Sequence, residues 1–257
     1  GRYQAQVRVP ANRWQRVELA LSDFELGRET DDPRDPNNKL DIDQLEAVAL
    51  ADLSHMLVGA LDPNLTDMLG IRTGARVFYV DDISASRAAL PTPPSPPGEI
   101  MIHAFARPHV AWFVTGHARA EVIEGKPLEG KGMRLEYALG EGQIAAAMLG
   151  VPVGLLAKSD RLLMSLASAK ATSLLVQVEE TSGGKYNSTV TLVGEQKLQN
   201  VSLAFADFTP GDDSKDDNGR LDRAQIKQIV IADLSFSGAG SPSNTVWVGP
   251  VRATKGE

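Results

Sequence analysis

The chain has 257 residues, enough for one or two domains, with 42% hydrophobic and 23% charged residues, the balance of an ordinary globular protein. Its formal net charge is -7 and it carries no basic run, which excludes nonspecific binding to nucleic acid or anionic membrane through clustered Lys and Arg. Cysteine is absent, which excludes disulfides, thiolate nucleophiles and Cys-based zinc sites; no apolar run approaches the ~18 residues of a membrane helix, since the longest, IAAAMLGVPVGLLA, is broken by Gly and Pro.

In chain order the dominant signal is period-two alternation, which predicts half-buried antiparallel strands. Tyr3, Ala5, Val7 and Val9 alternate with Gln4, Gln6 and Arg8. Val17, Leu19 and Leu21 alternate with Arg16, Glu18 and Ala20. The same pattern returns in Leu174, Val176 and Val178, in Val190 and Leu192, and in Val201, Leu203 and Phe205. Residues 41–47 and 222–228 each open on an Asp, a good helix N-cap, and predict one short turn; residues 63–69 predict another. Residues 88–98, AALPTPPSPPG, favour polyproline II and read as a linker.

The alternating segments also repeat. Residues 14–52, WQRVELALSDFELGRETDDPRDPNNKLDIDQLEAVALAD, match residues 198–233, LQNVSLAFADFTPGDDSKDDNGRLDRAQIKQIVIAD. Val17, Leu19, Leu21, Asp23 and Phe24 face Val201, Leu203, Phe205, Asp207 and Phe208; after three extra loop residues, Leu45, Val48, Leu50 and Asp52 face Ile226, Ile229, Ile231 and Asp233. Phe78, Val80 and Ile83 then match Val246, Val248 and Val251. A repeat this long is a structural unit used twice. The second copy has a long strand-like stretch ahead of the shared part and the first has almost none. The expected organisation is therefore the C-terminal half of a first β-sandwich at 1–88, a Pro-rich linker at 89–98, and a complete β-sandwich at 99–257. Half a sandwich exposes core and open edges, so a polypeptide segment from elsewhere is expected to complete residues 1–88. The first copy alone carries a Leu- and Met-rich insert, SHMLVGALDPNLTDMLGIRTGAR, which either caps the sandwich end or marks a contact.

The run V-x-L-x-L/F, S/A-D-F, an acidic loop, L-D, an apolar turn and I-x-I-x-D resembles the galactose-binding-domain-like β-sandwiches. It is similar to the family 11 carbohydrate-binding modules and to the domain of complex I intermediate-associated protein 30. Upstream in the second copy, GKGMRLEYALGEGQ resembles an early strand of that family, and SDRLLMSLASAKATSLLVQVEETSGGKYNSTVTL its central strands and hairpin. The resemblance implies an all-β, jelly-roll sandwich with one complete copy plus half of another. It also implies a carbohydrate site on a sheet face built from aromatic, amide and charged side chains.

On the polar side of the strands the candidate ligand-binding residues are Gln177, Glu179, Asn187, Thr189 and Asn200, whose amides, hydroxyl and carboxylate can bond sugar hydroxyls; the alternative is a solvated sheet face. Only 5% of the chain is aromatic, and Tyr3 and Tyr186 fall in phase with buried positions. Core packing is the expectation for Trp14 and Trp247, and Trp112 is expected to cover a sandwich end or an interdomain surface. Carboxylates for a structural Ca2+ are supplied by Asp31, Asp32 and Asp35, by Asp212, Asp213, Asp216 and Asp217, or by Asp81 and Asp82. The second loop fails EF-hand spacing, with Ser214 at the first ligand position and Gln225 at the last, and reads equally as a charged hairpin turn at Asn218-Gly219. His55, His103, His109 and His117 lack zinc spacing. No G-x-S-x-G, no phosphate loop and no convergent carboxylate pair is found, Glu179 and Glu180 pointing to opposite faces of one strand.

The expected function is non-catalytic binding of carbohydrate or glycan by tandem galactose-binding-like modules, in an extracellular or periplasmic protein. Two alternatives stand beside it. One is a structural or assembly subunit that binds another protein. The other is an accessory region of a secreted carbohydrate-active enzyme.

Overall fold

The computed structural model describes residues 1–27, 35–37, 39–87, 94–216, 218–234 and 242–255, the side chains of His55 and Met56 excepted. Residues 1–87 form two short strands, β1 (Tyr3–Gln4) and β2 (Glu25–Leu26), and two short helices, α1 (Ser54–Ala60) and α2 (Pro63–Met68). The remainder forms β3 (Glu99–His103), β4 (Phe113–Val114), β5 (Ala118–Glu124), β6 (Lys131–Ala138) and β7 (Ala146–Gly150). It continues through β8 (Ser159–Ser168), β9 (Thr172–Glu180), β10 (Lys185–Leu192), β11 (Gln199–Ala204) and β12 (Thr209–Pro210). The last strands are β13 (Ile226–Asp233), β14 (Ser243–Val248) and β15 (Val251–Lys255).

Two antiparallel sheets carry the sandwich. A six-stranded sheet runs β12-β10-β9-β13-β7-β4, and a seven-stranded one runs β3-β15-β8-β14-β6-β5, with β11 also on β8. The apolar side of each strand fills the space between them. Leu174, Val176, Val178, Tyr186, Val190, Leu192, Ile229 and Ile231 come from one sheet; Met133, Leu135, Leu162, Met164, Leu166, Val246 and Val248 come from the other. Each such side chain contributes about 1.5–3 kcal/mol on burial, so the alternation read from the sequence holds this all-β jelly roll together. The expected turns form as 3-10 turns at Ile42–Gln44 and Arg223–Gln225 and as α2. The Leu/Met-rich insert adds α1, which alternation does not foreshadow. Among the described residues no helix is long and apolar enough to cross a membrane. Linker residues 88–93 lie outside the described ones.

Three expectations for residues 1–87 need correction. Of the strand expected at 3–9, only Tyr3–Gln4 enters a ladder, with Glu25–Leu26. The segments around Val17–Leu21 and Phe78–Ile83 form no ladder among the described residues. Trp14, expected in a core, is 71% exposed. In the second copy the matching segments are held by β6, β8 and β9, and among the described residues of 1–87 no strand takes that place. Trp247, by contrast, packs on Leu128 and Ala167, and Trp112 is buried in the main core.

The first unit lies against the β4–β5 end of the sandwich. The Arg8 guanidinium donates to the carbonyls of Val114, at 2.9 Å, and Ala118. Arg107 pairs with Asp23. The Glu18 amide donates to His109 Nδ1 at 3.3 Å, and His117 Nε2 meets the Asp67 carbonyl at 2.8 Å. His109 and His117 thus both contact the first unit. His103 instead packs edge-on against Phe105, with ring centroids 4.5 Å apart. Burial, then the Arg107 charge, lowers its pKa to about 4.

Candidate functional site

The outer face of the six-stranded sheet brings together four of the five sequence-predicted residues. Register places Asn187 opposite Gln177, and Thr189 opposite Leu175, across β9–β10. Gln177 Nε2 donates to Asn187 Oδ1 at 2.8 Å, which fixes both amides while leaving lone pairs, one N–H of Gln177 and both N–H groups of the Asn187 amide for a ligand. Glu179, opposite Lys185, pairs with Lys227 Nζ at 2.9 Å. Thr189 is exposed beside the Ser173–Thr191 hydroxyl pair.

The other half of the face is apolar. Gln177 sits opposite Val230, Val230 opposite Met148, and Met148 opposite Phe113, so one row crosses β10, β9, β13, β7 and β4. Phe113 points outward because its neighbours Trp112 and Val114 point into the core. Ala146, Val230 and Ala232 pack with Ile144, Met148 and Leu175 into a cluster separate from that core. The face therefore runs from amides, hydroxyls and an ion pair on β9–β10 to an apolar strip in which Leu175, Met148 and Phe113 are half-buried and Val230, Ala232 and Ala146 are buried. A sugar ring has the matching chemistry, with hydroxyls at its rim and C–H groups on its faces. The apolar half escapes sequence reading because those residues stand in separate strands that only the topology makes neighbours.

Asn200 does not belong to this face. It lies on β11, opposite Ser165 of β8 in the seven-stranded sheet, and accepts from Ser165 Oγ at 2.8 Å. The chain crosses between sheets after β10, and alternation tells which residues point outward but not from which sheet. Ser165 borders a hollow of about 260 Å3 lined by Leu128, Glu129, Gly130, Gly249, Pro250 and Arg252.

The acidic loop is tied to its own protein. Asp213 pairs with Lys185, and that hydrogen bond lowers its pKa. Asp216 accepts from the Tyr186 hydroxyl and from the amides of Arg220, at 3.1 Å, and Asn218, at 3.3 Å. The Tyr186 bond holds the Asp216 carboxyl below its usual range, while burial and Asp216 raise the phenol well above its own. Asp212, Asp81 and Asp82 are exposed, and Asp31, Asp32 and Asp217 lie outside the described residues. No group of three or more His, Asp or Glu side chains converges as a metal site among the described residues.

Glu180, on the inner side of β9, is 1% exposed and accepts from the Asp222 amide and, at 2.9 Å, from Ser182 Oγ. Its carboxylate closes the hairpin between β9 and β10 and points away from Glu179, as alternation requires.

No family model matches the chain, and no curated protein matches it. Solved structures do. A family 11 carbohydrate-binding module from Clostridium thermocellum, in complex with a β-1,3-1,4-mixed-linked tetrasaccharide, superposes with TM-score 0.50 at 18% identity, over 63% of this chain and 98% of that one. A solution structure of CtCBM11 gives TM-score 0.50 at 18% identity, over 62% of this chain and 96% of that one. The family 11 module of the Clostridium thermocellum cellulase Lic26A-Cel5E follows at TM-score 0.49 and 18% identity, over 63% and 96%. Strand alternation, the two packed antiparallel sheets and the two superpositions at TM-score 0.50 agree: this chain has the β-sandwich fold seen in the family 11 carbohydrate-binding modules.

Proposed function

We propose that this protein binds glycan without acting on it chemically, through the outer face of the six-stranded sheet. The observation that carries the reading is the graded face itself: Gln177, Asn187, Glu179 and Thr189 stand in register beside Leu175, Val230, Met148 and Phe113. A pyranose ring stacked over the apolar strip directs its rim hydroxyls at the amides. The Gln177–Asn187 bond positions those amides beforehand, which reduces the ordering cost of binding. In this reading the chain works as a binding module of an extracellular or periplasmic protein, and Asp213 and Asp216 brace the loop beside β10. A partner protein is the second reading, favoured by the exposed apolar runs of residues 1–83.

The test is a glycan array followed by calorimetric titration, beginning with a β-1,3-1,4-mixed-linked tetrasaccharide. A hydrogen bond contributes about 0.5–1.5 kcal/mol, so Gln177→Ala and Asn187→Ala should each weaken binding roughly 2- to 12-fold. Asn200→Ala, on the other sheet, should leave it unchanged. An array without any sugar-dependent signal, or a titration in which Asn200→Ala weakens binding and Gln177→Ala does not, overturns the assignment.

A further inference from the structure

The first copy reproduces the second down to single hydrogen bonds, yet it leaves its apolar residues open. In the second copy Tyr186 pairs with Pro210 in the β10–β12 ladder and its hydroxyl donates to Asp216. In the first copy Tyr3 pairs with Leu26 and its hydroxyl donates to Asp35. The Asn37 amide donates to Asp35 at 3.1 Å as the Asn218 amide donates to Asp216 at 3.3 Å; the Lys39 amide donates to Asn37 at 2.8 Å as the Arg220 amide donates to Asn218 at 2.7 Å. The amides of Phe24 and Phe208 close equivalent turns on Leu21 and Phe205. The described residues between Tyr3 and Lys39 therefore repeat the contacts that join β10, β12 and the loop after it, whereas the counterparts of β11, β13 and β14 stay out of any ladder.

The same equivalence tells what each open run lacks. β9 is the strand that lies between β10 and β13, and β8 is the one that joins β11 to β14. Both are absent from the first copy, so each of its two incipient sheets is missing its centre. The consequence is seen residue by residue: Ile229 and Ile231 are 0% and 1% exposed, whereas their counterparts Val48 and Leu50 are 67% and 70% exposed. Val246 and Val248 are 1% and 0% exposed, whereas Phe78 and Val80 are 56% and 54% exposed.

We propose that residues 1–83 are an acceptor for a polypeptide distinct from residues 1–257 that carries strands equivalent to β3–β9. Its β9-like strand inserts between the segments around Tyr3–Val9 and Leu45–Leu50. Its β8-like strand inserts between those around Val17–Leu21 and Phe78–Val80. A second copy of this chain does not fit the role. Each chain carries one set of early strands, which its own residues 199–255 already use, and two sets of late strands. Any exchange between copies leaves one acceptor open per chain. The partner recognised is thus a run of alternating apolar strands with the pattern of residues 99–180, held by backbone ladders and by the buried faces of Val48, Leu50, Phe78 and Val80. This inference is independent of the glycan reading.

The experiment is native-state amide hydrogen exchange on the full chain, alone and with an added copy of its own residues 99–183 fused ahead of Gly1. That junction reproduces Gly184-Lys185-Tyr186 at Gly1-Arg2-Tyr3. In the chain alone, amides at 17–21, 45–50 and 78–80 should exchange nearly as fast as an unstructured peptide, while those of β8, β9 and β13 are protected. In the fusion, protection at 17–21, 45–50 and 78–80 should rise at least about 100-fold, and Val48→Asp with Leu50→Asp should abolish the gain. β13 amides serve as the internal control that the sandwich is intact. Three results overturn the proposal: strong protection in the monomeric chain alone, protection that grows with chain concentration, or no gain in the fusion.

Discussion

Truncating one pair of equivalent residues measures how different the two copies are in solution. Ile231 is 1% exposed, walled by the main core; Leu50, its counterpart, is 70% exposed. Ile231→Ala removes buried methylenes and leaves a cavity, at a cost of about 2–5 kcal/mol. Leu50→Ala can forfeit only the covered third of a side chain whose complete burial contributes about 1.5–3 kcal/mol, so its cost stays below about 1 kcal/mol. Scanning calorimetry is the suitable assay, because it registers every cooperative transition. Fluorescence would weight the sandwich, since Trp112 and Trp247 are buried and Trp14 is 71% exposed. For a unit of this size about 1 kcal/mol moves Tm by roughly 2–4 °C. Ile231→Ala should therefore lower the main transition by roughly 4–20 °C, and Leu50→Ala should move no transition by more than about 4 °C. A Leu50→Ala shift as large as that of Ile231→Ala would show that Leu50 is packed in solution, and the contrast between closed and open copies would fall.

Two further outcomes are expected. Gly132 lies in β6 where a Cβ would come within 2.2 Å of Leu128 Cδ1 and 2.5 Å of the Val248 carbonyl oxygen. Since the carbonyl belongs to β14 and cannot swing aside, Gly132→Ala should cost about 1–3 kcal/mol in urea unfolding, and an unchanged midpoint would refute the tight approach of these strands. His103 stays neutral in the fold to about pH 4, against an ordinary value of 6.5, so below pH 6.5 the unfolded chain takes up a proton that the folded one refuses. Its contribution is whole above pH 6.5 and falls by about 3 kcal/mol as pH drops to 4. The lowered carboxyls of Asp213 and Asp216 act below 3.8, outside this window. Burial also lowers the pKa of His109, which acts with the same sign in the same window; urea unfolding at pH 7 and 4.5 should show the loss, His103→Gln should reduce it and His103→Gln with His109→Gln should flatten it, and an unchanged slope in the single variant would assign the effect elsewhere.

Alternation in the sequence placed β9, β10 and β11 and the direction in which their side chains point, because a strand with one buried face must repeat every second residue. It carried Gln177, Glu179, Asn187 and Thr189 to one surface correctly. It failed at Asn200, since nothing in a period of two marks the crossing from one sheet to the other. It failed also at Phe113, Met148 and Val230, which look like core residues until the order β9-β13-β7-β4 turns them outward in one row. Trp14 shows the converse limit. Its repeat position pointed inward, but burial needs strands on both sides, and burial is decided by the partner rather than by the residue. α1 arose where no amphipathic period marks Ser54–Ala60 as a helix; at its start the Asp52 carboxylate accepts from the Ser54 amide at 2.9 Å.

The ends of the six-stranded sheet have a bearing on how the molecule behaves in a crowd. β4 and β12 are two residues long, and at the β4 end the Arg8 guanidinium occupies the carbonyls of Val114 and Ala118. A margin this short, with its acceptors taken by a charged group, gives an arriving strand almost no ladder to extend. Where copies gather densely, neighbours meet blunt margins on this sheet, and the tendency to grow into fibrils or precipitate is concentrated instead in the uncovered runs at 45–50 and 77–83. Aggregation of the unaccompanied chain should accordingly be cured by charges at those two runs and left untouched by changes along β4 and β12.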